Sequence, residues 1–156
     1  MGKPTLHLMV GLPCFGKTTF AKQLKISANA FLFTPDVWQH CLFGDDYAQR
    51  DLHDWRHSTI EAIMWDAARE LLQMGVSVIL DYGFWAKSER DDFRAQAKQL
   101  GVHFQIHYMH ADMEILAQRL AHRNTTQEHK FAITMEDIAT WAQLFQPPDE
   151  DELRGD

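Results

Sequence analysis

Apolar and polar positions follow two rhythms along this chain, and the switches between them mark its elements. Short apolar, β-branched runs read as strands: Thr5–Val10 (TLHLMV), Ala30–Thr34 (AFLFT), Val76–Leu80 (VSVIL) and Val102–Met109 (VHFQIHYM). Between them the pattern lengthens to helical steps. Lys17 to Ile26 reads as a helix, and a second helical stretch runs past Pro35 and Asp36 to Leu42, where GDDY breaks it. The longest predicted helix is Leu52–Met74. Ile60, Ile63, Met64, Ala67, Ala68, Leu71 and Leu72 give it one apolar face, and Gly75 stops it. Ser88 to Asp91 (SERD) has the form of a capping box opening a helix that runs to Leu100 and closes at Gly101. Met113–Arg123 is a further helix, and Thr134 begins a last one that ends before Pro147 and Pro148.

Strands alternating with helices predict an α/β domain with a parallel sheet covered on both faces. Ligands of such sheets gather beyond the carboxyl ends of the strands. Gly11, Asp36 and Asp81 each follow on a predicted strand, so the three are expected on one rim. The chain has 156 residues and no internal repeat or linker, which predicts one domain over 1–146 and an acidic, mobile tail over 147–156.

Composition narrows the partners. With 46% hydrophobic and 24% charged residues the balance is that of a globular protein. The formal charge of −7 is unsuited to wrapping a long nucleic acid, whose binding draws on Lys and Arg, although a local basic pocket remains compatible with it. The two cysteines, Cys14 and Cys41, have no zinc-site or disulfide-framework spacing, which suits a reducing, cytoplasmic setting. No apolar run approaches the roughly 18 residues of a membrane span. The amino terminus passes into a strand without the succession of a secretory signal.

The strongest chemistry lies in HLMVGLPCFGKTTFAKQL, where Gly11 to Thr18 fit G-x-x-x-x-G-K-[ST]. Glycines let backbone N–H groups turn inward on a phosphate, and the following helix adds its positive end. The nucleotide-binding set is Gly11, Pro13, Cys14, Phe15, Gly16, Lys17, Thr18 and Thr19. Lys17 can reach the β- and γ-phosphates, the Thr18 hydroxyl can bind Mg²⁺, and Thr19 can touch an α-phosphate oxygen. Asp81, closing VSVILD, is the expected metal-side acid or else a turn residue. Asp36 can take the proton of an attacking hydroxyl, cap the helix VWQHCL, or do both. Arg119 and Arg123, four apart, point the same way and suit a lid that steadies charge on a transferred phosphoryl group, with Lys130 a further candidate.

These motifs in this order, with VSVILDYGFWAKSERDDFRAQAKQLG, EILAQRLAHRN and the terminal FQPPDEDE, resemble the small P-loop kinases. Polynucleotide 5′-hydroxyl kinase domains, chloramphenicol phosphotransferase and zeta-toxin-like kinases are members, and the resemblance spans nearly the whole chain. It implies a three-layer P-loop NTPase fold with strand order near 2-3-1-4 and a helical lid. It also implies a phosphotransferase using ATP, or GTP, with Mg²⁺. By that likeness Lys17, Asp36, Arg119 and Arg123 are catalytic, Asp36 is the base, and Thr18 and Asp81 hold the metal. Polynucleotide kinases often place Arg directly before the base, whereas Thr34 and Pro35 precede Asp36 here. With the acidic charge, that favours a small hydroxylated acceptor over nucleic acid. A nucleotide-dependent binding module or slow NTPase is the other reading.

The remaining polar and aromatic residues read mainly as structural. Trp38, Trp55, Trp65, Trp85 and Trp141 fit cores and helix contacts, with Trp85 the best placed to meet a ligand. His53, His57 and Glu61, at four-residue steps, read as a partly solvated helix face, and His103 and His107 share a strand face. Arg50 and Arg56 fall where the resemblance places the acceptor.

Overall fold

A computed structural model describes residues 2–126 and 133–155. Four strands, β1 (Thr5–Val10), β2 (Phe31–Phe33), β3 (Val78–Gly83) and β4 (His103–Tyr108), form one sheet in the order β2-β3-β1-β4. Every pairing is parallel. The helices are α1 (Lys17–Ser27), α2 (Pro35–Phe43), α3 (Arg50–Gln73), α4 (Lys87–Leu100), α5 (Met113–Thr126), α6 (Met135–Leu144) and α7 (Glu150–Leu153).

The alternation of side chains along the strands divides the core between two faces. Leu6, Leu8 and Val10 of β1 join Val78, Leu80, Phe104 and Ile106 beneath Ile60, Met64, Ala68 and Leu72 of α3 and Ala97 of α4. On the opposite face Met9 and Ile79 pack on Ala21, with Phe20 and Leu24, of α1. The apolar stripe of α3 is narrower than the sequence suggests. Ile60, Met64, Ala68 and Leu72 are buried at successive four-residue steps, whereas Ile63 is exposed. A third cluster, Leu12, Phe15, Leu116, Leu120, Ile133 and Ile138, seats α5 and α6 on the loop after β1.

Several boundaries differ from expectation for identifiable reasons. β3 starts at Val78, because Gly75 and Val76 still close α3 by donating to the Leu72 and Leu71 carbonyls at 3.0 and 2.9 Å. It then continues to Gly83, since β1 follows it across a register shift that pairs Val10 with Gly83. Asp81 therefore lies within a strand and is not a turn residue. α4 begins at Lys87 with Ala86 as its N-cap and no side-chain cap, so Ser88 to Asp91 do not form the expected box. At the helix start expected from Thr134 a capping box is formed, with Thr134 and Asp137 bonding reciprocally.

The stretch read as a mobile acidic tail is in part packed. α7 lies against β4, and Glu152 is buried. Arg90 of α4, 1% exposed, donates from Nε to Glu152 Oε1 at 2.7 Å and from Nη2 to Oε2 at 3.3 Å. Its Nη1 donates to the carbonyls of Phe84 and Trp85 at 2.9 and 3.3 Å. Among the described residues no helix is long and apolar enough to cross a membrane.

Candidate active site

The loop between β1 and α1 is shaped by positions that only small residues or turned backbone can fill. Gly11 has φ +150°, and a Cβ there would lie 2.6 Å from the Met109 carbonyl oxygen. Gly11 N–H donates to Gly83 O at 3.1 Å, tying the loop to the end of β3. Cys14 and Gly16 have φ +68° and +92°, and Gly16 is the N-cap of α1. The positive end of α1 thus opens onto the loop, with no acidic residue in its first turn to compete for it. Pro13 and Cys14 are half-buried, Phe15 is buried in the cluster beneath α5, and Thr19 is exposed.

Lys17 and Thr18 begin α1. Lys17 Nζ points back over the loop toward the Leu12 carbonyl, 3.5 Å away. Thr18 Oγ1 donates to Asp81 Oδ2 at 2.8 Å, so residues 63 positions apart meet at the loop floor. Asp81 is buried, and burial pushes its carboxyl above the usual value; the charge of Lys17 and the Thr18 hydrogen bond act in the opposite sense. A hydroxyl and a carboxylate converging beside a phosphate loop are hard oxygen donors. That chemistry suits Mg²⁺, which takes few protein ligands and completes its shell with phosphate and water. Among the described residues no three or more His, Cys, Asp or Glu side chains gather as a metal cage.

Asp36 lies just beyond β2. It is not the N-cap of α2: Thr34 is, with Pro35 in the first turn, which leaves Asp36 inside that turn. Its side chain is 63% exposed, and its Oδ1 lies 3.7 Å from His57 Nδ1. The charge of Asp36 is felt at Asp81 and at Arg123, so the three share one electrostatic neighbourhood.

Arg119 and Arg123 approach from α5. Arg119 Nη1 donates to the Cys14 carbonyl at 3.2 Å and would lie 3.5 Å from a Cβ on Gly16. Arg123 is half-buried; burial lowers its pKa, opposed by the charges of Cys14, Asp36 and Tyr47. Lys130 lies outside the described residues.

Sequence reasoning missed the polar floor under Asp36. Of His53, His57 and Glu61, read as a partly solvated face, His53 is buried, whereas His57 and Glu61 keep side chains 28% and 23% exposed. Asp46, in the turn before α3, accepts from His53 Nδ1 at 2.7 Å and from Arg56 Nη1 at 3.0 Å. Burial works against its charge, yet these bonds and Gln39 outweigh it and hold its carboxyl below the usual value. Fully buried Gln39 of α2 bridges the two helices. The four-residue spacing was the available signal, but nothing local said which way it faced. Arg50 stacks on Tyr47 at 4.0 Å, and its Nη2 lies 3.8 Å from Asp137 of α6. Trp85 packs against Trp141, 5.8 Å between centroids, in the wall behind the loop.

Residues 6–148 match the family described as AAA domain. The chain belongs to that family, and its fold makes it a small nucleotide-binding, kinase-like P-loop domain. No curated protein matches its sequence significantly. Solved structures share the fold. One, from Chloroflexus aurantiacus and assigned to the kinases, is 20% identical with TM-score 0.75 over 95% of this chain and 80% of that one. A Sinorhizobium meliloti gluconokinase is 17% identical with TM-score 0.65, over 96% and 79%. A chain of a Pnkp1/Rnl/Hen1 RNA repair complex is 22% identical with TM-score 0.71, over 92% of this chain and 44% of its own.

Proposed function

We propose that the protein is an ATP-dependent phosphotransferase that moves the γ-phosphate to a hydroxyl of a small molecule, with Asp36 as general base. The observation that carries this reading is the placement of Asp36. It is an exposed carboxylate at the rim, freed from capping, within the electrostatic reach of both Asp81 and Arg123. A module that only bound or slowly hydrolysed nucleotide would need the loop and Asp81, but no second exposed acid beside them.

The loop amides and the amino end of α1 bind the triphosphate, and Lys17 swings from the Leu12 carbonyl to its β- and γ-oxygens. Thr18 and Asp81 would hold Mg²⁺, which when bound neutralises charge on those oxygens. Asp36 takes the proton as the acceptor's hydroxyl oxygen attacks phosphorus in line with the departing diphosphate. Arg119 and Arg123 stabilise negative charge on the phosphoryl group in flight, as preorganised cations do in such transfers. On this reading the acceptor reaches Asp36 from its solvent-exposed side. A cytoplasmic location accords with this chemistry, because ATP and Mg²⁺ are abundant there.

The test is transfer from γ-labelled ATP to a panel of polyols, sugar acids and a 5′-hydroxyl oligonucleotide. The last is included because the fold is shared with a chain of an RNA repair complex. Asp36→Asn is expected to lower transfer by at least about 100-fold with ATP affinity within about 2-fold of the parent. Transfer at the parent rate would exclude Asp36 as the base.

A further inference from the structure

α2 and α3 meet beneath Asp36 through polar side chains, and their hydrogen bonds fix the state of one histidine. Gln39 Nε2 donates to the His53 carbonyl at 3.0 Å and lies 3.4 Å from both Asp46 oxygens. Nε2 also lies 3.1 Å from His53 Nδ1, but its other three neighbours are acceptor oxygens, and together they favour the orientation with Oε1 facing His57. His57 Nδ1 is 3.0 Å from Gln39 Oε1, and His57 Nε2 is 2.7 Å from Glu61 Oε1. Both ring nitrogens therefore face pure acceptors, and only the imidazolium, with an N–H on each, satisfies both.

Resting on the reading of Asp36 as the base, we propose that His57 is its positioning residue: an imidazolium pinned by Gln39 and Glu61 that holds Oδ1 of Asp36 from 3.7 Å and leaves the other oxygen to the acceptor's hydroxyl. The charges around His57 agree. Burial works against its proton, but the Glu61 hydrogen bond and the charges of Glu61, Asp36 and Asp54 outweigh it and raise its pKa above the usual value. On α3 the His53 ring also stacks on it, 6.1 Å between centroids. Behind Glu61 stand Tyr82 of β3, which donates to the Glu61 carbonyl, and Glu89 of α4, whose carboxyl is raised by burial and by Glu61. The cation holds Asp36 by charge, so its loss as pH rises through the raised pKa lowers turnover on the alkaline side. Gln39 and Asp46 extend the brace to His53 and Arg56, so the orientation of the base is built into the α2–α3 junction.

The experiment follows the imidazole nitrogens of His57 by ¹⁵N NMR over pH in the parent, Asp36→Asn and Glu61→Gln. It is paired with pH profiles of γ-phosphate transfer to the best panel acceptor and of release to water. The His57 midpoint is expected above 6.5 in the parent and lower in both variants. His57→Asn is expected to lower kcat about 10-fold or more, leave the KM for ATP within about 2-fold, and abolish the alkaline limb; His57→Lys restores part of the rate. A midpoint unmoved by Asp36→Asn, or His57→Asn with the parent's rate and profile, overturns the inference while leaving Asp36 as the base. Full transfer by Asp36→Asn overturns the base itself, and with it this role for His57. The NMR titration needs neither an acceptor nor a folded His57 variant.

Discussion

Replacing Glu152 by Gln keeps the shape of the buried Arg90 pair and removes one of its charges. Arg90 is then left 1% exposed, with the Phe84 and Trp85 carbonyls and at most one neutral amide oxygen as its partners. A guanidinium stripped of its carboxylate in such a place costs about 3–5 kcal/mol, because desolvation is no longer offset. For a chain of this size each kcal/mol moves the melting temperature by about 2–4 °C, so a drop of roughly 6–20 °C is expected. The effect should reach the nucleotide site. The two carbonyls that Arg90 holds follow Gly83, whose own carbonyl takes the Gly11 N–H at 3.1 Å, so ADP affinity should fall as well. Urea denaturation of Glu152→Gln, Arg90→Met and the double variant Arg90→Met/Glu152→Met decides the matter. The double variant should lose far less than the two single losses together, since it leaves no uncompensated buried charge. Glu152→Gln within about 1 kcal/mol of the parent would refute the account and return residues 147–156 to the status of a solvated tail.

Two further predictions rest on buried geometry. His7 Nδ1 of β1 lies 2.9 Å from His107 Nε2 of β4, and burial, then the charge of His107, depress His7 to about 4. A group neutral in the fold but protonated in the unfolded chain below 6.5 favours the fold fully above that pH. That stability is lost as pH falls toward 4, about 3 kcal/mol in all. Denaturation of the parent and His7→Leu between pH 7.5 and 4.5 should show a shallower acid loss in the variant; parallel curves would contradict the assignment. Gly11→Ala places a Cβ 2.6 Å from the Met109 carbonyl at φ +150°. Calorimetry with ADP and magnesium should show at least about 10-fold weaker binding, and parent-like affinity would mean the loop relaxes at no cost.

What the sequence made legible was what depends on neighbours along the chain. The glycine loop, its strand and its helix lie within about twenty residues, and their spacing alone predicts them. The strand order came with the resemblance to P-loop kinases, and the fold bears it out. The ends of β3 were not readable, because the register with β1, and not the local pattern, carries that strand past Asp81 to Gly83. Arg90 and Glu152 stand 62 residues apart, and an acidic carboxyl-terminal stretch reads as solvated until a buried guanidinium is seen beneath it.

The largest departure falls on the half of the site that would meet the acceptor, and it has one physical cause. On α2, the turn that follows it and the first turns of α3, burial runs against hydropathy. Gln39, Asp46 and His53 are buried, whereas Trp38, Leu42, Phe43 and Trp55 are exposed. Hydrophobic periodicity assumes that apolar residues face inward, so it points the wrong way here and does not foresee that His53 is buried. Further along α3 the usual sense returns, with Ile60, Met64, Ala68 and Leu72 on the sheet. A buried polar seam gains little stability over an apolar one, since each bond made replaces one to water. What it supplies is direction: the acceptor oxygens around Gln39 Nε2 turn Oε1 toward His57, and His57, set between Gln39 and Glu61, faces Asp36 at 3.7 Å. Local rules are broken where a site has to be held in place, and that is why this face of the protein was the one the sequence misreported.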